Sequence, residues 1–236
     1  MTLILCAMKL EAKPFLKALE RLKPEKSASY KAYYGEIAGI KVVVAVCGVG
    51  ISRTAAAVDA LLDSHDISKV IMSGTAGGID SNLKIGDTIV SEEILFHDKS
   101  ENLLLSDVPG ESGTIFKADE IMLDIARTAI DNNPPDHPVY FGRITTGKKF
   151  ITSKIRDMII REFHPLCSDM ETAAAAKVCS LKGIPFVAVR SISDSADNSG
   201  FMSFLRYSSL ASDHSYIVAK RLFKQEIKYP LPSKVI

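Results

Sequence analysis

The sequence predicts an α/β fold, a single domain over residues 1–236 with a mixed central β-sheet sandwiched by helices. Three observations carry this. Several apolar runs of strand length are continuous rather than alternating, as in strands covered on both faces. Segments with apolar residues at helical spacing stand between them. The composition, 47% hydrophobic and 24% charged, is that of a soluble globular chain long enough to bury a large core.

Taken in order, "LILCAM" (3–8) reads as a buried strand and "EAKPFLKALERL" (11–22) as a helix. "YKAYYGEIAGIKVVVAV" (30–46) is a hairpin turning near Ala38-Gly39, its second arm a β-branched run. A helix from Ser52 to about Ser64 follows the glycines of "CGVG". "KVIMSGTAGGI" (69–79) is a buried strand ending in a Gly-rich loop, and "GDTIVSEEILF" (86–96) a further strand. Residues 97–118 are polar and turn-rich, a loop or lid. A helix (119–131), the turn "NNPPDHP" and the strand "VYFGRITTG" come next. They are followed by a helix over 153–162, the stretch "CSDMETAAAA" (167–176) with its helix running to about Lys182, the strand "PFVAVRSIS" (185–193), a loop, and a closing helix near 204–224.

The formal net charge of +1 offers no electrostatic reason to expect nucleic acid or an acidic membrane, so the expected partner is a small molecule with little charge. Cys6, Cys47, Cys167 and Cys179 are scattered over apolar segments without a C-x-x-C pair, as reduced thiols of a cytoplasmic protein are. The N-terminal apolar run is too short for export or a membrane span and reads as a core strand. The histidines show no metal spacing, and no metal is expected. "CGVG" lacks the third glycine of a dinucleotide fingerprint and no Walker lysine follows "GTAGG", so no cofactor is expected either. Gly77-Gly78 reads equally as a tight turn or a ligand loop.

Three segments place acids or small polar groups at strand ends: "AMKLEAKPF", "GTAGG" and "SISDSAD". Such ends gather at one edge of an α/β sheet, where ligands bind, so Glu11, Thr75, Glu171 and Asp194 are expected to converge. Singly, each acid has a plainer role: Glu11 at a helix N-terminus, Glu171 as a helix cap beside Ser168 or Asp169, Asp194 in an Asx turn. Together they suit an acid/base pair and a clamp for hydroxyls.

The segments "AMKLEAKPF", "CGVG", "SGTAGG", "KKFI", "SDMETAAAA" and "RSISDSAD" followed by "SF" occur in an order and spacing that resembles the nucleoside phosphorylase superfamily, most closely its 5′-methylthioadenosine/S-adenosylhomocysteine nucleosidase branch. The resemblance spans nearly the whole chain. It implies that Glu171 accepts hydrogen bonds from the ribose 2′- and 3′-hydroxyls while Met170 packs on the sugar. Asp194, supported by Ser193, corresponds to the general acid at purine N7, and Glu11 to the residue that orients or deprotonates the attacking water. Phe150 corresponds to the ring stacked on the base, Ile151 to a main-chain contact with its edge, and Thr75 to a hydroxyl near the nucleophile. Met8, Val49 and Phe204 correspond to apolar walls. A homodimer is implied as well.

Related phosphorylases carry an arginine where this chain has Met72 or Ser73, and a neutral side chain cannot grip a phosphate dianion, which favours water as nucleophile. Arg53 reads as helix-surface charge and Arg190 as a strand-end ion pair. Two departures bear on the substrate. The stretch after His97-Asp98 lacks the aromatic, glycine-containing run of the nucleosidases, and Lys148-Lys149 precede Phe150 where an acid and a small residue are usual. These lysines are solvated charges or partners of an anionic 5′ substituent. The implied activity is hydrolysis of methylthioadenosine or S-adenosylhomocysteine to release adenine. The alternatives are a nucleoside phosphorylase, a hydrolase of another 5′-modified nucleoside such as an aminofutalosine type, and a nucleoside-binding protein without catalysis.

Overall fold

A computed structural model describes residues 1–98, 114–151, 153–196 and 200–223. Ten strands and six helices are found there: β1 Thr2–Cys6, α1 Lys9–Ala18, β2 Glu20–Lys26, β3 Lys31–Ile37, β4 Ile40–Val46, α2 Ile51–Ser64, β5 Lys69–Gly78, β6 Thr88–Phe96, β7 Phe116–Lys117, α3 Glu120–Asn132, β8 Val139–Thr146, α4 Ser153–Phe163, β9 Cys167–Asp169, α5 Thr172–Leu181, β10 Phe186–Asp194 and α6 Gly200–Leu222.

All strands join one mixed sheet. Its order is β10-β6-β8-β9-β5-β1-β4-β3-β2, with β7 paired to β6. β10 also pairs with β5, so β5, β10, β6, β8 and β9 close into a ring while β1, β4, β3 and β2 extend from it as an open wing. β1, β4, β5 and β10 run parallel, which places their C-terminal ends at one edge.

The continuous apolar runs are explained by two cores, one on each face. Leu3, Leu5, Val43, Ala45, Val70 and Met72 point to a core closed by α2 and α5. Ile4, Cys6, Val42, Val44, Ile71 and Val189 point to a second, closed by α1, α3 and α6. Adjacent residues of one strand alternate between these cores, so these apolar positions do not face water. Ala173–Ala176 are buried, and their small side chains let α5 lie close to α2.

Five elements depart from expectation. Helix α1 stops at Ala18, and "ERLKPEK" forms the exposed edge strand β2, whose charges and Pro24 concealed it. β7 and β9 are too short to leave a periodic signal. α6 begins at Gly200, so Phe204 lies inside the helix rather than at its start. Of the loop or lid expected over 97–118, residues 99–113 lie outside the described residues.

Candidate active site

A cavity of about 730 Å³, its open mouth included, lies at the C-terminal edge of the sheet. Eleven expected residues line it. Met8 and Glu11 come from the start of α1, Val49 from the loop before α2, Thr75 from β5, and Phe150 and Ile151 from the segment after β8. Met170 and Glu171 come from the junction of β9 and α5, Ser193 and Asp194 from the end of β10, and Phe204 from α6.

Glu11 combines the roles that the sequence left as alternatives. As an acid in the first turn of α1 it reaches back, and its Oε2 accepts the Ala7 and Met8 N–H groups at 2.9 Å each. Its Oε1 accepts the Thr75 N–H at 2.8 Å and the Thr75 hydroxyl at 3.1 Å. A residue only 2% exposed is thereby aimed at the cavity by four donors. Gly74 makes the approach possible, because a Cβ there would sit 2.5 Å from Glu11 Oε1 and within contact distance of the Arg190 guanidinium.

Glu171 is not the cap of its own helix by side chain. It occupies the N-cap position of α5, but its Oε1 accepts the N–H of Gly50, 121 residues away in sequence, at 2.8 Å. Gly50 adopts φ 108°, a conformation natural to glycine, which turns that N–H toward the carboxylate. The start of α5 is capped instead by Asp169, whose Oδ1 accepts the Glu171 and Thr172 N–H groups at 3.1 Å each. Burial, followed by repulsion from Asp169, pushes the Glu171 carboxyl up to about 8, with Arg190 opposing.

Asp194 ends β10 just after an irregularity. Ile192 pairs with Ala76 and Asp194 with Gly77, so Ser193 is an extra residue of the kind that re-aims the next side chain. Ser193 Oγ donates to Asp194 Oδ2 at 2.9 Å, and the Ala196 N–H donates to Oδ1 at 2.9 Å. The support expected from Ser193 and the expected Asx-type turn are both present, with Asp194 only 3% exposed. Gly77-Gly78 belong to β5 and pair with β9, so they are not a tight turn, and Gly77 lines the cavity from the strand end rather than from a loop.

At the mouth, Phe150 is 47% exposed and makes edge-on contacts with Phe201 and Phe204 at 6.1 and 5.9 Å. Lys149 lines the mouth and is exposed. Arg53 is exposed on α2 and is not part of the lining.

The largest element missed is the charge beneath the cavity floor. Arg190 is fully buried in β10. Its Nε lies 2.8 Å from Asp169 Oδ2, and Nη1 and Nη2 lie 4.0 Å from Glu11 Oε1 and 3.7 Å from Glu171 Oε2. The ion pair was expected, but not its position between three carboxylates. A signal existed: an arginine inside "PFVAVRSIS" must be buried, and a buried charge needs partners. Nη1 and Nη2 have no hydrogen-bond partner among the described residues, so a buried donor face looks toward Glu11 and Glu171. Met72 is in the core and Ser73 is bonded to Ser215 at 2.7 Å, so neither faces the cavity.

Comparison with known proteins supplies the family. The description "Phosphorylase superfamily" matches residues 2–224. A 5′-methylthioadenosine/S-adenosylhomocysteine nucleosidase of Exiguobacterium sp. is 33% identical over 204 residues, 83% of this chain and 87% of that protein. The Neisseria meningitidis enzyme of the same name, solved with methylthio-immucillin-A, superposes with a TM-score of 0.86 at 28% identity, covering 94% of this chain and 97% of that one. Futalosine hydrolase of Helicobacter pylori superposes with a TM-score of 0.85 at 25% identity, covering 94% and 96%. The chain belongs to the phosphorylase superfamily, in the family of the 5′-methylthioadenosine/S-adenosylhomocysteine nucleosidases.

Proposed function

We propose that this protein is a purine nucleosidase that hydrolyses the N-glycosidic bond of 5′-methylthioadenosine or S-adenosylhomocysteine and releases adenine. The observation that carries this is the placement of Glu11, Glu171 and Asp194 around one cavity, with the buried Arg190 guanidinium beneath it, Nη1 facing Glu11 and Nη2 facing Glu171.

As the bond breaks, positive charge develops on the sugar and negative charge on the base. Asp194 would give a proton to purine N7 and so neutralise the leaving base. Water held by Arg190 Nη and Glu11 would add its oxygen to the anomeric carbon, with Glu11 orienting it and taking its proton. Thr75 Oγ1, bonded to the same Oε1, can yield that lone pair to the water. Glu171, anchored through Oε1 on Gly50, would turn Oε2 to the ribose hydroxyls. Met8, Val49, Met170 and Phe204 would supply apolar walls, Phe150 the face for the base, and Ile151 main-chain contacts to its edge. A phosphate nucleophile is disfavoured by charge: Glu11, Asp169 and Glu171 surround a single guanidinium, and a dianion entering there meets net repulsion.

Hydrolysis of another 5′-modified nucleoside is the second reading, favoured by the likeness to the Helicobacter pylori futalosine hydrolase, and Lys149 at the mouth suits an anionic 5′ substituent. A homodimer is supported by Phe201, Met202 and Leu205, which expose 58%, 69% and 58% of their surface beside that mouth. Cytoplasmic location and a role in methionine salvage follow the same reading, with four buried free thiols fitting a reducing compartment. The test is adenine release from a panel of 5′-substituted nucleosides, with and without phosphate. Release that requires phosphate and yields ribose 1-phosphate would overturn hydrolysis, and binding without release would leave a nucleoside-binding protein.

A further inference from the structure

We propose that Asp169 is a positioning residue for the nucleophile, acting through Arg190. The inference rests on the proposed hydrolysis and adds a residue that touches neither base nor sugar in that reading.

Each contact of Asp169 fixes one degree of freedom. Its Oδ1 accepts the Thr146 hydroxyl at 2.7 Å and the Glu171 and Thr172 N–H groups at 3.1 Å, which ties the carboxyl plane to β8 and to the start of α5. Its Oδ2 accepts the Thr172 hydroxyl and lies 2.8 Å from Arg190 Nε. Thr172 Oγ1 in turn accepts from Arg190 Nε at 3.0 Å, so hydroxyl and carboxylate together hold the inner corner of the guanidinium. The group is planar and its five donors form a rigid fork, so fixing Nε sets the direction of Nη1 and Nη2. Those two point into the gap between Glu11 and Glu171, where they lack a partner among the described residues. Thr146 Oγ1 also accepts the Ala173 N–H at 2.9 Å, so the anchor is braced on two elements. Without it, the guanidinium could swing from 4.0 and 3.7 Å onto Glu11 or Glu171 and form a direct ion pair, taking its free donors away from the nucleophile.

The test compares Asp169→Asn, Arg190→Gln, the double variant and Thr172→Val. In Asp169→Asn, kcat for base release is expected to fall roughly 10²-fold, the loss typical of a misplaced reacting group, with KM within about threefold of wild type. The double variant is expected to be no slower than Arg190→Gln alone, because the second loss acts through a group already removed. Thr172→Val keeps shape and charge and should lower kcat about tenfold, which decides the matter if Asp169→Asn does not fold. An activity-independent readout is the arginine Nε–H resonance of labelled protein: one slowly exchanging signal, lost in Arg190→Gln, should also be lost in Asp169→Asn. Multiplying losses in the double variant, or wild-type kcat in both Asp169→Asn and Thr172→Val, would overturn the proposal. If wild type releases no base from any nucleoside while the Nε–H remains protected, the hydrolase reading falls and the tether stands.

Discussion

Glu171→Gln separates two roles that the geometry makes unequal. In the folded chain Oε1 holds Gly50 N–H and Oε2 accepts no hydrogen bond among the described residues, so the substitution keeps one acceptor and removes the charge from the other. At about pH 9, above the raised folded-state pKa of Glu171, two charge-assisted bonds to sugar hydroxyls, at about 1.5–3 kcal/mol each, would become neutral ones at about 0.5–1.5. The loss is about 2–3 kcal/mol in all, or roughly 30- to 150-fold in kcat/KM at 1.36 kcal/mol per tenfold. Selectivity against a 2′-deoxyribose substrate should be blunted, because the partner of that hydroxyl is already impaired.

Stability should move the other way. Burial and Asp169 hold the folded-state pKa of Glu171 near 8, above its ordinary 4.5. The folded chain therefore binds the proton more tightly than the unfolded chain, and this contribution is fully present below 4.5 and lost as pH rises through about 8. Glu171→Gln should flatten that decline and melt no lower than wild type at pH 8. Steady-state kinetics on ribose and 2′-deoxyribose substrates, with melting curves from pH 4 to pH 9, check both halves. A variant that loses the 0.5–2 kcal/mol of a missing cap yet keeps its kcat/KM and its discrimination would refute the clamp.

Three further outcomes follow. Asp194→Asn should lower kcat by roughly 10²- to 10⁴-fold with the fold intact by circular dichroism, and near-normal turnover would remove it from the mechanism. Gly74→Ala places a methyl against Glu11 and Arg190, neither of which can retreat from its partners. It should cost about 1–3 kcal/mol in urea unfolding and most of the activity, and wild-type turnover would contradict the packing described. Far from the site, His137 stacks on His214 at 3.9 Å, and burial, His214 and Arg221 push it down to about 4 against a weaker pull from Asp136. Its contribution is present above the ordinary 6.5 and lost as pH falls toward 4. His137→Gln should therefore make the acid-side fall in urea midpoint shallower, and an unchanged slope would count against it.

The fold was legible wherever a residue's partners lie close in sequence or wherever two-sided burial writes itself as an apolar run. β1, β4, β5 and β10 declared themselves in this way, as did the turn at Ala38-Gly39. β2 did not, because an edge strand is stabilised by its pairing with β3 and keeps charges on both sides. β7 and β9, at two and three residues, have no period to read.

By itself, the sequence determined that carboxylates sit at strand ends, that the sheet is covered on both faces, and that no cation stands at Met72 or Ser73. Those are properties of residue type and of neighbours along the chain. Only the tertiary structure decided what each carboxylate does. Glu171 could have capped its own helix, but the turn at Gly50 offers it an N–H 121 residues away, and Asp169 takes over the cap. Arg190 had to find partners, but which ones depended on β10 pairing beside β5 and on β9 ending against both β5 and β8. A charge is placed by its own strand, while its energy is set by everything that fills the few ångströms around it, and those neighbours are brought there by the fold.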